Sequence, residues 1–138
     1  MEVLVDHLGA AQFEIQARGH TIFCDQPLEN GGFDEGMTPP ELLLASVGAC
    51  AGYYAVEYLK GHRLAAGGVR VRVSAEKGKA PARLASFRIQ ILVPEVLEER
   101  HCEGVFRAAK NCLIHNTLTH PPDIQVEVTG PDGVALAA

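Results

Sequence analysis

Cys24, Cys50, Cys102 and Cys112 are the side chains of this sequence best suited to redox or nucleophilic chemistry. Their separations are 26, 52 and 10 residues, with no C-x-x-C pair, so neither a zinc ribbon nor a thioredoxin-type dithiol is encoded. Cys112, His115, His120 and Cys102 could ligate a metal, but no second close pair completes a tetrahedral pattern. A structural zinc protein is therefore a minor reading, and no metal is expected. What remains is thiol chemistry, which runs through the thiolate and so depends on what surrounds each sulfur.

Cys50 lies in the best-defined element of the chain. Thr38-Pro39-Pro40-Glu41 places Thr at the N-cap, Pro in the first turn and Glu three residues on, which is a capping box. The helix that follows runs toward Lys60 and stops at Gly61. Its first half is apolar all round, which predicts burial on every side. Ala45, Ser46, Gly48, Ala49, Ala51 and Gly52 strip bulk from the surroundings of Cys50 and predict a close approach by another backbone. Two readings of Cys50 stand side by side: a small buried hydrophobe, inert in apolar surroundings, or a reactive thiol in a space cleared for it. Leu42 to Leu59 approaches membrane length, yet it contains Glu57 and many small residues and reads as a buried helix.

Cys112 has its own fork. If a helix breaks before Asn111, that Asn becomes an N-cap, Cys112 sits at the first helical position and the helix dipole favours a thiolate. In a continuous helix that support is missing. Cys102 would then lie about 15 Å from Cys112 along the axis, beyond disulfide reach. Cys24 falls in a strand, where packing is its expected role.

The positioning elements follow from periodicity. Gln12 to Ala17 alternates and predicts a strand, Arg18-Gly19-His20 a turn, and Thr21 to Cys24 a second strand. Residues 25–37, with Pro27, Gly31, Gly32 and Gly36, read as a surface loop. Val69 to Val73 and Phe87 to Val93 form a hairpin around a turn at Gly78 to Pro81, with Arg70, Arg72 and Arg88 on its polar face. A second helix is predicted from Pro94-Glu95, and a last strand from Ile124 to Val128. The order predicts a single α+β domain over residues 1–138. Tyr53, Tyr54 and Tyr58 follow Cys50 and either line a pocket for an organic substrate or pack the core.

Composition excludes more than it selects. The 138 residues carry 12 basic and 17 acidic side chains, a net charge of -5, with no Trp and no basic block, which argues against a nucleic-acid partner. A chain of this length buries roughly 68–70% of its unfolded surface and needs no staple in order to fold. The N-terminus has neither a basic nor an apolar leader segment, so a cytoplasmic location off the membrane is expected, where disulfides are transient and catalytic.

Gly36-Met-Thr-Pro-Pro-Glu-Leu-Leu-Leu-Ala-Ser-Val-Gly-Ala-Cys50 resembles the signature helix of the OsmC/organic hydroperoxide resistance family, and Arg107-Ala-Ala-Lys-Asn-Cys112 resembles its second-cysteine segment. The resemblance implies antiparallel sheets around a buried central helix in an intertwined homodimer. It also implies a peroxidatic Cys50, a resolving Cys112, a hydroperoxide substrate, no cofactor, and an external dithiol reductant, lipoyl-type in one branch. That branch adds a Glu ten residues before the first cysteine and an Arg in the loop before the helix. Here the first position is Pro40 and the loop holds no Arg or Lys, so Glu41 and Arg18 are the nearest catalytic candidates. The pattern is closer to the broader OsmC-like branch. A non-enzymatic module binding a small molecule beside redox-sensitive thiols is the alternative.

Overall fold

The capping box forms as the sequence requires. Thr38 Oγ1 accepts the Glu41 N–H at 3.5 Å, Glu41 Oε2 accepts the Thr38 N–H at 2.7 Å, and the long helix α1 (Pro39–Gly61) starts there. This element organises the computed structural model, which describes residues 1–137. Before α1 stand three strands, β1 (Leu4–Gly9), β2 (Gln12–Ala17) and β3 (His20–Cys24), and a short 3-10 turn at Leu28–Asn30. After it come the hairpin β4 (Arg70–Lys79) and β5 (Ala82–Leu92), helices α2 (Glu99–Lys110) and α3 (Leu113–Thr119), and the small pair β6 (Val128–Thr129) and β7 (Ala135–Ala137). Every strand pair is antiparallel, and the fold is α+β as expected.

The hairpin and α2 pack on α1. Val71 stands opposite Ile91 and Val73 opposite Ile89, giving the hairpin one apolar face. A Cβ on Gly48 would meet Val73 Cγ2 at 3.0 Å, and one on Gly52 would meet Val71 Cγ2 at 3.1 Å. The small residues around Cys50 thus admit strand β4. Between α1 and α2, the Tyr58 ring covers Gly104 so closely that a Cβ there would overlap it. The Tyr58 hydroxyl lies 3.2 Å from His101 Nδ1, and the His62 ring stacks on the tyrosine at 4.1 Å. Tyr58 therefore locks two helices together. Ala55, Leu59 and Val105 form the buried core at this contact.

Four expectations need correction. Burial of α1 is confined to one stripe, Val47, Ala51, Ala55 and Leu59, because in the single chain only the hairpin, α2 and α3 lie against it. Leu43 is 37% exposed and Tyr53 62% exposed. Helix α2 starts at Glu99 rather than at Pro94-Glu95, since Val93 and Leu97 are drawn into the core contact and Glu98 takes the extended cap conformation. Of the predicted final strand only Val128 is in a strand; Ile124 and Val126 are exposed with no strand beside them. Strand β1 was not foreseen, because its apolar residues do not alternate cleanly.

The N-terminal sheet differs from the rest. It has the order β1-β2-β3, with Asp6 opposite Glu14 and Ile15 opposite Ile22. It shares no extended packing interface with the helices or the hairpin, and it is tethered by a bridge between Cys24 and Met37.

Candidate active site

Helix α2 ends at Lys110, Asn111 closes it, and Cys112 is the N-cap of α3. The fork posed by the sequence is thus settled in favour of a break, one residue later than predicted: Cys112 itself, not Asn111, is the cap. Its Sγ accepts the His115 N–H at 3.2 Å, as a capping oxygen would elsewhere. Cys50, half-buried on α1, lies near enough to Cys112 to add to the upward push on its thiol. The two cysteines singled out by sequence are therefore neighbours, both as free thiols.

Burial pushes the Cys112 thiol up from its ordinary pKa. The His115 N–H opposes this, Cys50 adds to it by hydrogen bond and by charge, and the Ile114 N–H opposes it again, with a net upward result.

The other candidates lie apart. Cys24 is buried at the end of β3, and Cys102 is exposed on α2, where its thiol donates to the Leu97 carbonyl at 3.8 Å. Glu41 is committed to Thr38, whose N–H and hydroxyl hold its carboxyl below the usual range. Its backbone is about 13 Å from that of Cys50 along the helix. Arg18 occupies the tip of the β2–β3 turn with φ +59, exposed, on the sheet that does not pack against α1. Of the tyrosines, Tyr58 is structural and Tyr53 points outward.

Asp25 was not recognised from sequence. It is fully buried, and its carboxylate accepts the N–H groups of Gln26 at 2.7 Å, Phe33 at 3.0 Å and Glu35 at 3.2 Å. Burial alone would raise its pKa, but these three donors more than offset it and hold the carboxyl below its ordinary value. One side chain thereby folds the loop leading into α1. An acid followed by Pro, Asn and Gly reads as surface; the signal was the pair Gly32 and Gly36, where a Cβ would strike backbone.

The apolar face of β5 is incompletely covered, and neither Cys50 nor Cys112 lines the space it leaves. A cavity of about 330 Å³ lies between Phe87, Ile89 and Phe106, and one of about 430 Å³ extends it past Val47 and Leu118. His115 borders both. Among the described residues no group of three or more His, Cys, Asp or Glu is placed to hold a metal ion.

The OsmC-like protein family model matches residues 32–127, which include α1, the hairpin and both cysteine segments. No curated protein matches the sequence. Among solved structures, an osmotic stress induced and detoxification response protein from Psychrobacter arcticus 273-4 is 19% identical, with a TM-score of 0.77 over 83% of this chain and 85% of that one. An OsmC like protein from Mycoplasma pneumoniae is 17% identical, with a TM-score of 0.72 over 87% of each chain. An organic hydroperoxide resistance protein from Legionella pneumophila, also described as a predicted redox protein, is 14% identical, with a TM-score of 0.60 over 85% of this chain and 87% of that one.

Proposed function

The chain belongs to the OsmC-like protein family, and from that footing we propose that it is a cysteine-based hydroperoxide reductase with Cys50 as the peroxidatic residue and Cys112 as the resolving one. The observation that carries the reading is the meeting of these two thiols at the α1–α3 contact. The Cys50 thiolate attacks the distal oxygen of the hydroperoxide; the O–O bond breaks, the alkoxide takes a proton and leaves as alcohol, and Cys50 becomes a sulfenic acid. Cys112 attacks the sulfenic sulfur, water leaves, and an intramolecular disulfide forms. An external dithiol, lipoyl-type or similar, reduces it by exchange.

The apolar cavities between β5 and the helices suit an organic rather than a purely polar peroxide. We assign the cation that would support the Cys50 thiolate to Arg18 of a second copy, because no Arg or Lys precedes the helix in the connecting loop. Glu41 serves that site by fixing the start of α1. A homodimer is part of the same proposal: the exposed side of α1 and the unpacked N-terminal sheet both leave apolar residues uncovered.

The test is consumption of cumene hydroperoxide with excess dithiol, comparing wild type with Cys50→Ser and Arg18→Ala. Loss of turnover in the first and a reduced rate with unchanged folding in the second are expected. Equal rates in wild type and Cys50→Ser would overturn the assignment. Protection of Cys50 from alkylation by an apolar ligand, without turnover, would identify a binding module instead.

A further inference from the structure

The contact between the end of α1 and the start of α2 holds two histidines that the thiol chemistry does not use. Tyr58 ties them together. Its hydroxyl lies 3.2 Å from His101 Nδ1, and its backbone carbonyl accepts a hydrogen bond from His62 Nδ1 at 2.8 Å. The His62 ring also stacks on the Tyr58 ring, with centres 4.1 Å apart. The tyrosine itself is wedged over Gly104, so this arrangement is anchored in both helices. His62 and His101 are left with ring centres 5.4 Å apart and planes inclined at 69°.

The same bonds decide which nitrogens are free. A carbonyl oxygen only accepts, so His62 Nδ1 carries the ring proton and Nε2 carries the lone pair of the neutral ring. A phenolic hydroxyl both donates and accepts, so His101 Nδ1 can donate to Tyr58 and leave its own lone pair on Nε2. Among the described residues neither Nε2 makes a hydrogen bond. Imidazoles that bind metals are held in this way, with the nitrogen away from the ion donating to an oxygen that fixes the tautomer and the ring. The spacing agrees. An ion about 2.0–2.1 Å from a ring nitrogen is about 3.2 Å from the ring centre, so two imidazoles at a tetrahedral angle have centres about 5.2 Å apart. The observed separation is close to that. His62 is exposed and His101 half-buried, so an ion reaches the pair from solvent.

We propose that His62 and His101 bind Zn²⁺ or a similar divalent transition-metal ion through Nε2, with water completing the shell. Two imidazoles make an open site, unlike the closed cysteine-rich pattern that the sequence spacings exclude. Neutral nitrogen ligands select Zn²⁺, Cu²⁺ or Ni²⁺ over Mg²⁺ or Ca²⁺. The bound ion clamps the end of α1 to α2, and Tyr58 positions both ligands. The site is independent of the thiol chemistry.

The experiment is calorimetric titration of the reduced full chain with zinc chloride. Thiols also bind zinc, so Cys50→Ser is titrated in parallel. The expected result is a binding event that persists in Cys50→Ser and weakens at least about tenfold in both His62→Ala and His101→Ala. Because the ion joins two helices, zinc should raise the melting temperature of Cys50→Ser but not that of the chain carrying Cys50→Ser and His62→Ala. If His101→Ala does not fold, His101→Gln replaces it, and His62→Ala at the exposed end of α1 carries the same test. A zinc event unchanged in either histidine variant would overturn the site. So would the absence of any event beyond those lost in Cys50→Ser, or equal stabilisation by Mg²⁺. Each of these results leaves the reductase reading to its own turnover assay.

Discussion

Two buried thiols in this molecule have contrasting neighbours. Cys24 and Cys112 are both removed from solvent, and burial raises both pKa values. Beside Cys24 stands the carboxylate of Asp25, a permanent negative charge that opposes ionisation further. Beside Cys112 stand the N–H groups of a helix start and a second thiol. One buried sulfur sits beside a carboxylate, and the other beside a second thiol. Burial alone therefore does not tell a structural cysteine from a reactive one; the neighbour does.

The largest effects that would sharpen this contrast are catalytic. Cys50→Ser should lower kcat/KM for an organic hydroperoxide by roughly three orders of magnitude or more, because the nucleophile is lost. Cys24→Ala should leave turnover unchanged and cost about 1 kcal/mol in denaturant unfolding. A catalytic defect in the Cys24 variant would break the comparison. Next, Cys112→Ser should retain the first oxidation of Cys50 while slowing steady-state turnover by at least about tenfold, with a sulfenic acid that a cyclic dione traps and mass spectrometry detects. Cys102→Ser should behave as wild type in the same assay.

Smaller effects concern the inert half. Asp25→Asn removes the charge that three backbone donors hold, so thermal melting should fall by several degrees at neutral pH. Because the folded pKa of Asp25 is lowered, its contribution is present above the ordinary carboxylate range and lost as pH falls through the folded value. The gap between wild type and Asp25→Asn should therefore narrow in acid; a gap independent of pH would contradict the assignment. A pair of glycine substitutions separates a backbone clash from a soft one. Gly32→Ala drives a methyl into the Gln26 carbonyl and should cost about 1–3 kcal/mol, whereas Gly52→Ala meets only a Val71 methyl at 3.1 Å and should cost less than about 1 kcal/mol.

Local signals made much of the fold legible. The capping box and Gly61 bounded α1 to the residue, and strict alternation located β2 and the hairpin, because these depend on neighbours in sequence. The Cys112 segment was legible only as a fork, since whether Asn111 or Cys112 caps a helix depends on how α3 packs against α1. Burial around α1 was overestimated because apolar composition does not tell which faces find a neighbour: one stripe packs against the hairpin, α2 and α3, while Leu43 and Tyr53 stay exposed. Asp25 escaped notice because its three partners lie up to ten residues away in an irregular loop. That Cys50 and Cys112, 62 residues apart in sequence, are neighbours in space was visible only through family resemblance.

The central claim is that Cys50 and Cys112 form one redox unit. Reduced protein treated with a single equivalent of cumene hydroperoxide, alkylated and digested without reductant, tests it most directly. A Cys50–Cys112 linked peptide from within one chain, with Cys24 and Cys102 both recovered alkylated, is the predicted result. Oxidation that leaves Cys50 and Cys112 as free thiols, or links either of them to Cys102, would contradict it.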